Sequence, residues 1–356
     1  MRQRNKRIPA ALLAAALAAS LLAGCGVSRR INPQIGQWNG GQGGSNTMPA
    51  PDEGNTGPLP TPTPAAGAQP GRNSPAVLYG SAKTIDRPTA VVSVYLDEAN
   101  GGASWSYDEI TESRKKLAAA GDWIQSACAG YGTATQLHFD DGAEGSLLFM
   151  HAKYDGRFAG GTDADEGGDF YDTMDTLCEK LDSEALETAY DTDSVAFLLF
   201  LPVAGASFTM THYRDNGNEF YYEYSILYKD DAYAEPGTPE CAMVYAHELL
   251  HQFGAPDLYE GSSDEFVDDG LVDFVAENWP KAIMYDSILA EGESEYAIDR
   301  VLSPVTAYRL GLCADFEGLS RFPALASTNP GIFETEPATL ESADEWVVLP
   351  GDARAV

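Results

Sequence analysis

Positive charge is scarce in this chain of 356 residues, where 22 Lys and Arg stand against 54 Asp and Glu for a formal net charge of −32. So acidic a surface repels phosphate backbones and anionic headgroups. It excludes nucleic acid as a partner and leaves no basic face to hold a membrane. Cysteine is sparse too, five in all and widely spaced, which argues against a Cys-based zinc cluster. No repeat of about 20 to 50 residues is visible, so a solenoid or propeller is not indicated. From 26 to about 88 large apolar residues are nearly missing, and burial there cannot repay the entropy of ordering.

The longest apolar run, Ile8 to Leu22, follows four positives at Arg2, Arg4, Lys6 and Arg7. It is too short for a mature membrane span and has the build of an exported signal segment over 1–24. Its L-A-G-C ending resembles a bacterial lipobox, which implies cleavage before Cys25 and lipidation of that thiol. Loss of residues 1–24 removes four positives and no negatives, taking the net charge from −32 to −36. Contact with a membrane would then rest on the N-terminal lipid alone, placing the protein on the bacterial cell surface or the outer face of the membrane. The Gly/Pro/Thr-rich stretch 25–88 reads as a tether, flexible first and stiffer at P-L-P-T-P-T-P. An exported compartment permits disulfides, and Cys128, Cys178, Cys241 and Cys313 allow three pairings or none.

A folded domain is expected over 89–315, with a tail of open structure at 316–356. The run Ala90 to Leu96 has the β-branched character of an interior strand. Ile110, Arg114, Leu117, Gly121, Ile124, Cys128 and Tyr131 recur at steps of four and three, predicting a helix capped near Ser106 and ended by Gly130 or Gly132. Further strands are predicted at Thr135 to Phe139, Ser146 to His151 and Val195 to Leu201, with helical structure from Asp169 to about Tyr190. The aromatic run Glu219 to Tyr228 suits an edge or near-edge strand, whose aromatics pack on the core in the plainer reading and which could otherwise pair with an extended substrate. Ser303 to Gly311 has Ser at the N-cap, Pro next and Gly at the stop, predicting a short helix.

Chemistry concentrates at H-E-L-L-H-Q-F-G-A-P-D, His247 to Asp257. Histidines four apart on a helix project from one face and can reach one cation. The chance of this pattern with Gly254 and Asp257 also in place is roughly one in 25,000 for such a composition, so the signal is strong. The neighbours Ala242 to Ala246, Leu249 and Leu250 are apolar, so the helix is buried, and buried polar atoms need partners that a metal supplies. Gly254 can end the helix in the left-handed conformation and bring Asp257 back as third ligand. Glu248, just off the ligand face, suits a general base toward a water that zinc acidifies.

This stretch resembles the extended zinc motif of the metzincin clan of metallopeptidases, in the variant whose third ligand is Asp, and G-A-P-D-L-Y is similar to the snapalysin and immune inhibitor A groups. The resemblance implies a zincin-like α/β (α+β) fold: a twisted mixed sheet, a backing helix, a buried active-site helix and a smaller C-terminal subdomain. It also implies one catalytic Zn2+, a protein or peptide substrate, and a Met-containing turn beneath the metal, for which A-I-M-Y-D offers Met284. Many of that clan place a Tyr two residues after the Met. Here Tyr285 follows directly, and it is the residue offered as transition-state stabiliser.

Two other readings compete. A gluzincin-type peptidase would take Glu277 as third ligand from a second helix, and a surface-displayed binding or adhesion module would hold a non-catalytic metal. An intact Glu248 counts against the binder. The acidic stretch Asp264, Glu265, Asp268, Asp269 and Asp273 could bind Ca2+, but it lacks the ligand spacing of a calcium loop and reads better as a solvated loop. His138, His151 and His212 match no motif position.

Overall fold

In the computed structural model the described residues are 80–99, 101–162, 165–181, 183–211, 223–290 and 292–330. The chain divides into two units, Met1–Thr63 and Pro64–Val356, and every described residue lies in the second. The signal segment, Cys25, most of the tether, His212 and the tail from 331 onward lie outside the described residues.

The first strand, β1 (Thr89–Glu98), is buried on both faces, as its unbroken apolar run requires. Next comes α1 (Tyr107–Gly130). Ser106 accepts from the Glu109 N–H while the Glu109 carboxylate accepts from the Ser106 N–H, a reciprocal cap. Then follow β2 (Leu137–His138), β3 (Phe149–Tyr154), α2 (Gly168–Lys180), α3 (Ser183–Tyr190), β4 (Val195–Gly205), β5 (Phe208–Met210) and β6 (Tyr224–Asp231). The chain continues through α4 (Ala242–Gln252), α5 (Asp269–Asn278), α6 (Pro304–Arg309) and two 3-10 turns at Leu319–Arg321 and Pro323–Ser327.

The six strands form one mixed sheet in the order β2, β1, β4, β6, β5, with β3 also on β1. All pairings are parallel except β5 with β6. One face packs α1 and α4 through Val91, Tyr95, Leu198, Phe200 and Leu227, and the other packs α2 and α3 through Val92, Val94, Phe197 and Leu199. The architecture is α+β, with helices on both faces of a mixed sheet. Among the described residues no helix is long and apolar enough to cross a membrane.

The aromatic stretch supplies β6 from Tyr224, in the near-edge place between β4 and the terminal strand β5. β5 is too short for periodicity to reveal. Three expectations need correction. The stretch after Asp169 forms two helices broken near Leu181. The folded part also runs past both expected boundaries: Ala82, Ile85 and Leu325 are core residues, and the Asn329 amide donates to the Cys313 carbonyl. Cys128, Cys178, Cys241 and Cys313 are free thiols.

Two buried polar side chains fix where α4 lies. Lys116 of α1 donates through Nζ to the Glu240 carbonyl at 2.7 Å and pairs with Glu295 at 2.7 Å, anchoring the approach to the helix. At the far end the Gln252 amide grips the Phe197 backbone of β4, accepting from its N–H at 3.2 Å and donating to its C=O at 2.9 Å. It also donates to Ser225 of β6 at 2.7 Å. A helix held at both ends presents its side chains at fixed positions.

Candidate metal centre

α4 is buried on nearly every side, and His247 and His251 project from one face with their rings nearly perpendicular and centroids 4.7 Å apart. The helix stops at Gln252. Gly254 has φ +96°, a conformation a side chain would strain, and Gly254 and Ala255 donate back to His251 and Leu250. This reversal returns Asp257 to the histidines. His247 Nε2, His251 Nε2 and Asp257 Oδ1 then form a nearly equilateral triangle with edges of 3.1, 3.2 and 3.2 Å.

The outer nitrogens settle the chemistry of the inner ones. His247 Nδ1 lies 2.9 Å from the Ile283 carbonyl and His251 Nδ1 2.7 Å from the Ala255 carbonyl. A carbonyl only accepts, so each Nδ1 carries hydrogen and each neutral ring turns a lone pair inward at Nε2. Three acceptors therefore face one another, and buried Asp257 Oδ1 receives no hydrogen bond. Like-sign atoms so placed need a cation between them. Four ligands about 2.0–2.1 Å from a tetrahedral centre stand about 3.3–3.4 Å apart, close to the edges observed, and a two-imidazole, one-carboxylate set suits zinc. The Glu248 carboxylate lies within 4.8 Å of both histidine donors.

Electrostatics agree. For His251, burial opposes the charged form, but the Asp257 carboxylate first, then Glu248 and the Ala255 carbonyl, push its pKa up to about 9. For Asp257, burial is outweighed by the two histidines, which hold its carboxyl well below the usual range. Both shifts report a site that draws positive charge.

The A-I-M-Y-D segment forms a tight turn against the site, with the N–H groups of Tyr285 and Asp286 donating to the Ala282 carbonyl. Its Ile283 carbonyl receives His247, its Met284 carbonyl receives the Leu258 N–H at 2.8 Å, and the Met284 side chain is wholly buried. Tyr285 packs against the core, and among the described residues no hydrogen bond joins its hydroxyl to the triangle. Glu277 is exposed on α5, outside the donor cluster, so the structure does not bring the rival third ligand to the site. In the acidic stretch, Asp264 binds Arg309 and Asp268 caps α5, while Glu265, Asp269 and Asp273 are exposed. Among the described residues the donor cluster of α4 is the one group arranged for a metal, which leaves Ca2+ no assembled site there.

Three residues of the site escaped the sequence reading. Thr209 of β5 donates to Glu248 Oε2 at 2.8 Å. Buried Glu240 accepts from Ser207 just before the same strand at 3.0 Å. The Tyr259 ring lies nearly parallel to His247, at 16° and 6.5 Å between centroids. Tyr259 stands two places past Asp257 in G-A-P-D-L-Y, so its position was a usable signal. Thr209 was not findable, because only the sheet brings it to the helix, and Glu240, two residues before α4, carries no local signal of its burial.

No protein-family model and no curated protein matches the sequence. Among solved structures the chain is similar to wild-type OgpA from Akkermansia muciniphila, at 12% identity and a TM-score of 0.35 over 65% of this chain and 62% of that one. It is also similar to catalytically inactive OgpA from that organism in complex with an O-glycopeptide, glycodrosocin, at 13% identity and a TM-score of 0.34 over the same shares. The chain thus spans 62% of the length of those structures, and likeness of this degree carries no argument about activity.

Proposed function

We propose that the protein is a zinc-dependent endopeptidase of metzincin type, with His247, His251 and Asp257 as metal ligands and Glu248 as general base. The inward-facing triangle of three acceptors carries this reading. A zinc ion held there would lower the pKa of a water and polarise a scissile carbonyl. Glu248, 5% exposed and steadied by Thr209 on Oε2, would take the proton of the attacking water and pass it to the leaving amine. Met284 would be the Met of the turn beneath the metal. We further propose that the enzyme works outside the cytoplasmic membrane on proteins or peptides, tethered by lipid on Cys25, a reading supported by the L-A-G-C segment.

Cleavage of casein or a peptide library by the purified protein, with and without chelator and against Glu248→Ala, tests the activity. Turnover that is lost with chelator, restored by Zn2+ and absent in Glu248→Ala, which still binds metal, is expected. Metal bound in both forms with turnover in neither would favour a binding module instead.

A further inference from the structure

The Thr209 hydroxyl has more acceptors around it than hydrogens to serve them. Its Oγ1 lies 2.8 Å from each of three oxygens: Glu248 Oε2, the Glu248 carbonyl and Ser225 Oγ. A threonine hydroxyl carries one hydrogen, so only one of the three receives it. Thr209 and Ser225 are direct partners in the antiparallel pairing of β5 with β6, which turns both hydroxyls to the same face, toward Glu248 of α4.

The choice is made from the other end of the network. Phe197 of β4 offers a backbone N–H, which only donates, and a C=O, which only accepts. The Gln252 amide meets both, with Oε1 on the N–H at 3.2 Å and Nε2 on the C=O at 2.9 Å, so its orientation is fixed. The second Nε2 hydrogen then goes to Ser225 Oγ at 2.7 Å. Ser225 is wholly buried, as Gln252 is, and its own hydrogen has two acceptors in reach. Thr209 Oγ1 at 2.8 Å is the nearer, and the Glu248 carbonyl stands at 3.2 Å. Were Ser225 to choose the carbonyl, the two hydroxyl oxygens would face each other at 2.8 Å with no hydrogen between them, or with the Thr209 hydrogen there and none left for the carboxylate, the strongest acceptor present.

We propose that Gln252 and Ser225 are positioning residues: they set the direction of a hydrogen-bond chain that runs from the Phe197 backbone through Gln252, Ser225 and Thr209 to the Glu248 carboxylate. Each hydroxyl accepts from one neighbour and donates to the next, so the Thr209 hydrogen is committed to Oε2 and Oε1 is left to take a proton from water. This rests on the reading of Glu248 as general base.

The test compares Ser225→Ala, Thr209→Val and the double variant in the full chain. Ser225→Ala removes one buried oxygen and leaves the Gln252 grip on Phe197 in place. With Zn2+ bound at the wild-type stoichiometry, it should lower kcat for a cleaved peptide by about 3- to 10-fold, keep KM within about 2-fold, and have no further effect in the Thr209→Val background. In urea unfolding of the metal-stripped protein, the change in unfolding constant for the double variant should differ by about 3-fold or more from the product of the two single changes. An unchanged kcat in Ser225→Ala, a fall of equal size in the Thr209→Val background, loss of bound metal, or simple multiplication in urea overturns the proposal. A wild type that cleaves no peptide overturns the endopeptidase reading and the catalytic role with it, whereas the urea comparison still reports on the chain of bonds itself.

Discussion

His251 Nε2 and Asp257 Oδ1 stand 3.2 Å apart, held face to face by the reversal at Gly254. Without metal this pair shares a proton. Although burial opposes the charge, Asp257 raises the imidazole from its usual 6.5 to about 9. A raised pKa contributes stability that is fully present below the unfolded value and is lost as pH rises through the folded one. The metal-stripped protein should therefore melt at progressively lower temperature from about pH 6.5 to 9. Because a cation must displace the proton, Zn2+ affinity should rise over the same window. Thermal melts and chelator competition at stepped pH check both, and His251→Ala should flatten the first slope.

Thr209 donates to Glu248 Oε2 at 2.8 Å, and the same hydroxyl is 2.8 Å from the Glu248 carbonyl. Thr209→Val keeps the shape and removes the donor. A net hydrogen bond to a charged group is worth about 1.5–3 kcal/mol, so kcat/KM for a cleaved peptide should fall by about 10- to 100-fold. Bound Zn2+ should stay at the wild-type stoichiometry, measured by metal analysis of the purified variant. Loss of metal along with rate would assign Thr209 to the architecture of the site rather than to the base.

Glu240 is pushed up to about 8, chiefly by burial. Bonds from the Cys241 N–H and Ser207 oppose the shift, and the charges of Asp231 and Glu248 add to it. Folded protein holds this proton more tightly than unfolded chain, so the contribution is complete below about pH 4.5 and drains away as pH rises through about 8. In the Zn2+-loaded protein, where His251 no longer titrates, stability should decline over that interval. Glu240→Gln, an uncharged isostere, should remove the decline and be the more stable form at pH 9, by roughly 1–3 kcal/mol in urea titrations. An unchanged slope in the variant would show that Glu240 ionises freely in the fold.

Asp264 receives both terminal amines of Arg309, at 3.2 and 2.7 Å, and Arg309 is 2% exposed. Removing one partner of a buried pair strands the other charge, so Asp264→Ala should cost about 3–5 kcal/mol in urea unfolding, well above the cost of Asp273→Ala on the solvent side of α5. Added Ca2+ should leave the melting temperature of the wild-type protein unchanged.

Much of this was legible one residue at a time. The cap of α1 was read from Ser106, β1 and β4 from their apolar runs, and α6 from Ser303, Pro304 and Gly311, because each signal is local to the element it shapes. His247, Glu248 and His251 share one helix face by spacing alone. Other features were not legible. Strand β5 is three residues long and shows no period, and the aromatic run ending at Tyr228 does not encode whether one neighbour or two will pair with it. Asp257 was preferred to Glu277 from its offset beyond His251, but only the fold shows its Oδ1 3.2 Å from both imidazoles and Glu277 exposed on α5.

What the sequence by itself determined is the set of donors: two imidazoles and a base one helical turn in extent, and a glycine that permits the chain to double back. What only the tertiary structure decided is their state. The Ile283 and Ala255 carbonyls choose the tautomers, and Thr209 steadies Glu248. These partners come from a loop, a strand and a turn whose approach to α4 depends on how the sheet and core pack. Helical spacing is a property of neighbouring residues, whereas a hydrogen bond across the fold depends on every element that holds its two ends in place.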